Sequence, residues 1–452
     1  MANRLIPSPP KDKIWGKLTG HALSLSKNRL EYMMSLLNNY GDFVELKMGQ
    51  QTTYLLTNPE GVDYVLRKNA KNFSKETPGF KLVSDVTGKG VFTESGKSWL
   101  EKRKKVNPFF SPKNKIHWLP HIIETANELI DDLNRSSNKS VNICPLMTRS
   151  TLQILGRTIF NEDLGKFGDI FEKELNNLIH LTEEKITQII PIPTPKKVRQ
   201  RKSFEKSMSI LDGIILDMIN RAKERPSEPD KNMIHTFLEH ATDETTEKYL
   251  IDQIKTMAFA GHETSSNVLS WSMYLILNNP EWHNKIKAEI DSVIGPNELS
   301  VDNLNLFPNL TMALKESMRL YPPAWSLGRK AESDDEILGH KVKQGDIFII
   351  SPYLTQHNSA VFTNPDDFSP ERFSEENEVK IPSGAYIPFG IGPRSCIGEG
   401  LAMMEIIGII VKLFQNFEME LDKKVKVEIN QKLTLQAKNG INVFFKRKNK
   451  KD

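Results

Sequence analysis

Phe389-Gly390-Ile391-Gly392-Pro393-Arg394-Ser395-Cys396-Ile397-Gly398 sets one of the chain's two cysteines between glycines, with the apolar run Leu401 to Phe414 directly behind it. A lone cysteine is most often a small buried hydrophobe, and that is the reading for Cys144. Cys396 differs by its neighbours. A buried thiolate needs donors and positive potential. Gly392 and Gly398 let the backbone pass close to the sulfur, with φ values that other residues resist. The N–H groups after Cys396 open a helix whose positive end favours the anion. Phe389 can shield the sulfur from water. Arg394 suits a carboxylate gripped in fork geometry.

Together these features describe a soft thiolate ligand for a haem iron, with Arg394 on a propionate. Such a ligand pushes electron density onto the iron and favours O–O cleavage. The loop resembles the haem-binding loop of the cytochrome P450 family, FxxGxRxCxG, with every fixed position matched. Other family motifs appear in the expected order, so the resemblance runs from about Ile6 to Phe445. It implies a mainly α fold with a smaller β-rich part. Haem would lie between a long distal helix and the proximal Cys loop, in a single haem domain over residues 1–452.

The 452 residues are 38% hydrophobic and 26% charged, ordinary for a soluble globular protein. A net charge of +4 is too small to imply nucleic acid. No apolar run approaches a membrane span, and Met1 to Pro10 lacks the apolar core of a signal peptide. Two cysteines give no disulfide framework. The expectation is a soluble, cytoplasmic, bacterial-type monomer without a membrane anchor.

Leu30 to Asn39 reads as an amphipathic helix, followed by a small hairpin, Phe43 to Leu46 and Thr53 to Thr57. Lys75 to Gly96 is interrupted by glycines and reads as a long functional loop. Helical spacing dominates from Trp99 to Leu320, and short strands follow Pro322-Pro323, among them Lys424 to Ile429.

Ala260-Gly261-His262-Glu263-Thr264 lies inside the long helical segment Tyr249 to Asn278. Glycine in a helix interior costs about 1 kcal/mol, so its presence asks for a reason. Thr264 can bond back to the carbonyl of Ala260 and loosen the helix over the iron. Glu263 and Thr264 then offer an acid–alcohol route for protons. The five residues match the family's oxygen-activation motif, (A/G)Gx(D/E)T. Family members that use peroxide directly, or isomerise hydroperoxides, generally lack this pair, so it favours reductive activation of O2.

Glu316 and Arg319 share a helix face and resemble the family's ExxR motif, with Arg372 of Pro370-Glu371-Arg372-Phe373 as the expected third partner. These are read as structural residues. Trp99 and Arg103 resemble the WxxxR pair that contacts propionates, and Arg329 matches another propionate arginine by its distance after ExxR. Where many relatives carry His-Arg-Asp, this chain has Gln356-His357-Asn358, which leaves open whether Gln356 or His357 takes that contact.

Neither a flavin fingerprint nor the cysteines for an iron–sulfur cluster are present. The resemblance therefore implies haem b (iron protoporphyrin IX), O2 as co-substrate, and NAD(P)H electrons arriving through a ferredoxin or flavodoxin and its reductase. Lys102, Lys104 and Lys105 would form a basic patch for that acidic partner. Phe80, Leu82, Ile189, Met257, Phe259, Trp325 and Leu327 are candidate pocket liners. They suit a lipophilic substrate: a fatty acid, terpenoid or steroid. The competing readings are a haem-thiolate peroxygenase or isomerase, disfavoured by Glu263 and Thr264, and a non-enzymatic haem sensor.

Overall fold

A computed structural model describes residues 6–11, 19–135, 139–186, 194–225, 233–239 and 244–448. Ile189 lies outside them. The elements that build the site begin with helix α1 (Arg29–Tyr40) and the hairpin β1 (Phe43–Met48) and β2 (Gln51–Leu56). Strand β3 (Phe73–Ser74) then leads into helix α2 (Pro78–Thr87).

Helix α2 corrects the expected loop over Lys75 to Gly96. The Thr77 hydroxyl caps the Phe80 N–H, Pro78 occupies the first turn, and Gly88 stops the helix at φ 68°. A good cap contributes about 1 kcal/mol, enough to offset the interior Gly79. Val83, Val86 and Thr87 form its buried face.

The helical body follows: α3 (Gly96–Val106), α4 (Lys115–Arg135), α5 (Ile143–Leu155), α6 (Gly165–Ile186), α7 (Pro195–Glu224), α8 (Glu244–Asn278) and α9 (Pro308–Leu320). Helix α8 is the spine. It packs on α5, α9 and the late helix α10 (Glu399–Asn416). Buried Trp271 and Ile276 of α8, Leu310 and Leu314 of α9, and Ile406 and Ile410 of α10 belong to one continuous core. Cys144 packs at the edge of this core, as expected of a small hydrophobe.

Strands β4 (Leu327–Ala331) and β5 (Ile347–Ile350) complete a five-stranded sheet of order β1-β2-β5-β4-β3. All its pairings are antiparallel except β2 with β5, where Thr53 faces Ile347. A separate hairpin joins β6 (Ile429–Gln431) to β7 (Leu435–Ala437). The strand expected over Lys424 to Ile429 is confined to the start of β6: Val425 to Glu428 carry no strand pairing. The outcome is a mainly α protein with a smaller β part. No helix among the described residues is long and apolar enough to cross a membrane.

Candidate active site

One cavity of about 950 Å3 lies between the Cys396 loop and α8. Cys396, Phe389, Arg394 and Gly398 line it on one side, and Ala260, Gly261, Glu263 and Thr264 on the other. Trp99, Arg103, Arg329, Phe80, Met257, Phe259, Trp325 and Leu327 also reach it. Leu82 does not; Val83 takes its place. On a helix each residue turns about 100°, so the inward face of α2 carries Phe80 and Val83 and turns Leu82 aside.

The loop is held by its own backbone. The Cys396 N–H donates to the Phe389 carbonyl at 2.8 Å, and the Ser395 N–H to Gly392 at 3.0 Å. Gly390 and Gly392 have φ of 67° and 73°. A Cβ on Gly392 would stand 2.3 Å from the Leu66 carbonyl oxygen, so no other residue fits there. Gly398 departs from expectation, because its φ is −88°, open to any residue. It is distinguished instead by its closeness to the sulfur, 4.0 Å from where its Cβ would lie.

The Cys396 sulfur opens onto the cavity while protein surrounds it elsewhere. Burial pushes its pKa up, the Gly398 N–H pulls it down, Glu399 pushes it up again, and Arg103 and Lys75 pull it down. A metal ligated here would displace the thiol proton, as thiolate ligation requires.

Four of the cations that line this cavity share one electrostatic neighbourhood: Lys75, Arg103, Arg329 and Arg394. Arg329 is only 5% exposed, and its side chain donates just to the Gly328 carbonyl, at 2.8 Å. Burial lowers its pKa to about 10. Arg394 donates to the Glu94 carbonyl at 2.7 Å and lies 3.7 Å over the Trp99 ring. Its pKa also falls to about 10, through burial and then through Arg329 and Arg103. Lys75 has no motif to announce it in the sequence. It is buried, donates to the Phe92 carbonyl at 3.0 Å and sits over the Phe80 and Phe92 rings. Burial first, then the three arginines, hold its pKa well below the usual lysine value. None of the four forms an ion pair among the described residues; the nearby Glu94 is taken by Lys102 at 3.5 Å. Buried cations without a counter-charge are costly. A dianionic macrocycle whose carboxylates meet them, and whose iron meets Cys396, fits this donor set.

On α8 the Thr264 hydroxyl donates to the Ala260 carbonyl at 2.8 Å, as the sequence predicts. The helix nevertheless stays α through this point. The Glu263 carboxylate turns toward the β6–β7 hairpin, where one oxygen accepts from the Thr434 hydroxyl at 2.9 Å and from the Gln436 amide. Asn267 in turn donates to Thr434 at 2.9 Å.

Glu316, Arg319 and Arg372 do meet. Arg319 forks onto Glu316 at 2.7 and 2.8 Å, with both residues fully buried, and Arg372 reaches Glu316 at 3.3 Å. Neither Gln356 nor His357 lines the cavity. The Gln356 amide bonds the Met318 and Arg319 carbonyls and accepts from the Ile387 N–H at 2.9 Å, which ties α9 to the chain leading into the Cys loop. Of the three lysines expected in a basic patch, Lys104 and Lys105 are exposed, while Lys102 folds onto the Lys89 carbonyl at 2.6 Å.

A second residue without a motif is Glu405 of α10, which is 5% exposed at the cavity wall, beside Ser265 of α8. Burial raises its pKa from 4.5 to about 8, against a small opposing pull from Ser265. Between those values the folded protein holds a proton that the unfolded chain has released. Stability therefore falls as pH rises through that window, by about 1.4 kcal/mol per pH unit from this group. Melting temperatures from pH 5 to 8 should show this decline, and Glu405→Gln should flatten it; equal slopes in the two proteins would refute the assignment.

The family comparison agrees with the geometry. The Cytochrome P450 family profile matches residues 7–444. Human "Cytochrome P450 4V2" is 27% identical over 466 residues, covering 96% of this chain and 88% of that protein. "Cyclooctatin synthase" of Streptomyces melanosporofaciens is 25% identical, covering 93% and 92%. The crystal structure of the cytochrome P450DA heme domain superposes with a TM-score of 0.87 at 22% identity, over 98% of this chain and 97% of that one, which bears on the fold alone. With a thiol and a long helix facing each other across one cavity, and with the family's profile spanning nearly the whole sequence, the chain belongs to the cytochrome P450 family of haem-thiolate monooxygenases.

Proposed function

We propose that this protein hydroxylates a C–H bond of a lipophilic small molecule, using haem b, O2 and electrons from NAD(P)H. The observation that carries this reading is the cavity itself. Cys396 and four cations without an ion pair occupy one part of it, and Phe80, Val83, Met257, Phe259, Val268 and Leu433 give the rest extensive apolar walls. When bound, haem iron supplies the reductive activation of O2 and the transfer of one oxygen atom.

The protein's own residues do the rest. Cys396 supplies the thiolate, and Phe389 keeps water from it. Trp99, Arg103, Arg329, Arg394 and Lys75 orient the macrocycle through its carboxylates. The apolar walls exclude water from the reacting C–H bond. Overall, the C–H bond becomes C–OH and the second oxygen atom leaves as water, which consumes two electrons and two protons. Thr264, its hydroxyl parked on the Ala260 carbonyl, is the last proton donor on the chain, and Glu263 is the group that recharges it. The electrons come from a separate ferredoxin or flavodoxin with its reductase, docking near exposed Lys104 and Lys105. In this reading the chain is one haem domain that works as a cytoplasmic monomer.

Thr264→Ala should leave haem uptake and NADPH oxidation in place while coupled hydroxylation falls about a hundredfold, since a positioned proton donor contributes on that order. The missing electrons should appear as hydrogen peroxide. Unchanged coupling in a reconstituted ferredoxin system, followed by product and peroxide assays, would remove Thr264 from the proton route. The reading as a whole is tested by 18O2 incorporation: label in the product supports it, and product that forms only with added peroxide overturns it.

A further inference from the structure

The cations around this cavity fall into two groups. Lys75, Arg103 and Arg394 share an electrostatic neighbourhood with Arg329, and Lys75 and Arg103 feel Cys396. Arg29 and Lys432 also line the cavity, but the charge they share is Glu183, near the end of α6. They mark a second, separate polar end.

Three elements build that end. Arg29 is the first residue of α1, and its guanidinium lies 5.2 Å over the Trp325 ring. The Trp325 indole N–H donates to the Lys432 carbonyl at 2.8 Å. The Leu30 N–H donates to the Gln431 side chain at 2.6 Å, which fixes the start of α1 against the β6–β7 hairpin. The two cations are thus presented by a braced rim rather than by loose surface.

The charge balance of the rim favours an anion. Arg29 and Lys432 face Glu183, with His180 beside it; Glu263, the other carboxylate that Glu183 feels, is already held by Thr434 and Gln436 of the hairpin. Neither cationic head makes a hydrogen bond or ion pair among the described residues. Arg29 also stands at the positive end of its helix, where a cation is disfavoured. Burial lowers its pKa, and only Glu183 opposes that. Two cationic heads without a direct partner, at a helix N-terminus and on a cavity with many apolar side chains, are complementary to an amphiphile with an anionic head.

Building on the functional reading above, we infer that Arg29 and Lys432 form a carboxylate subsite and that the substrates are long-chain carboxylates rather than neutral terpenoids or steroids. The head is held at the rim, and the alkyl chain runs past Leu25, Met33 and Phe80 into the cavity. The free acid and the N-acyl amino acid carry the same head chemistry.

The test is a Soret titration of the ferric holoenzyme with hexadecanoate, N-hexadecanoylglycine, methyl hexadecanoate and hexadecan-1-ol. At least one carboxylate should bind about tenfold or more tightly than the ester and the alcohol, and the tighter of the two identifies the source. The doubly substituted Arg29→Gln, Lys432→Gln protein should lose that preference while keeping its affinity for the ester. Equal binding of acid and ester by the unsubstituted protein would overturn the subsite, and so would a uniform loss for every ligand in the variant. A thiolate-type Soret band with 18O-labelled product from a neutral lipid would then leave the monooxygenase reading standing and the subsite alone refuted. Absence of that band would sink both.

Discussion

Cys396→Ser is expected to yield a folded protein that has lost the ferrous–CO band of thiolate-ligated haem and whose hydroxylation has fallen by more than about a thousandfold. That is over 4 kcal/mol of transition-state stabilisation at about 1.4 kcal/mol per decade. Serine conserves the shape of the loop, because the Phe389 carbonyl, Gly390 and Gly392 set it without help from the sulfur. What disappears is the soft anionic donor, and an alcohol in this setting stays protonated. The four cations remain, so macrocycle binding should weaken less than activity. CO-difference spectra and pyridine haemochromogen content read the two effects apart. A normal thiolate spectrum from the variant would transfer the ligand role away from Cys396.

Arg319→Leu should be the most damaging substitution for stability. Arg319 makes two bonds to Glu316 and three to carbonyls of the chain beyond α9: Gln356 at 2.8 Å, Pro365 at 2.7 Å and Asp367 at 3.1 Å. Its loss strands the fully buried Glu316 with only Arg372, at 3.3 Å, and the Ser369 N–H, at 2.9 Å. Breaking such a pair typically costs about 3–5 kcal/mol, a large part of the roughly 5–15 kcal/mol that holds a domain together. Arg319→Lys should not rescue it, because an ammonium has three donors and no planar fork. Urea denaturation and haem content after purification measure both variants. A loss under 1 kcal/mol for Arg319→Leu would show that the cluster is dispensable.

The parts legible in the sequence are those where chemistry demands fixed offsets. A thiol in a tight turn, an acid and an arginine on one helical face, and a glycine-threonine pair inside a helix all leave spaced signatures. The structure brings each set together. Lys75 and Glu405 leave none, since their roles arise from burial supplied by distant segments. The loop expected over Lys75 to Gly96 shows how local signals mislead. Gly79 and Gly88 read as breaks, yet one is tolerated within α2 and the other ends it. A loop also carries no helical phase, so only the helix makes plain that Val83, and not Leu82, faces inward. Gly398 lies beside the sulfur, as its place in the loop implies, but in a conformation that does not require glycine.

The Thr434 hydroxyl borders the cavity and at the same time donates to Glu263 at 2.9 Å. A ligand that shifted Thr434 would loosen the contact that holds the acid aside, and by thermodynamic reciprocity a change in that contact would then alter how readily the cavity fills. If Glu263 carries the proton supply as proposed, the protein would have an idle setting: with nothing to oxidise, that supply would stay clasped by the hairpin, and less reducing power would be squandered on peroxide.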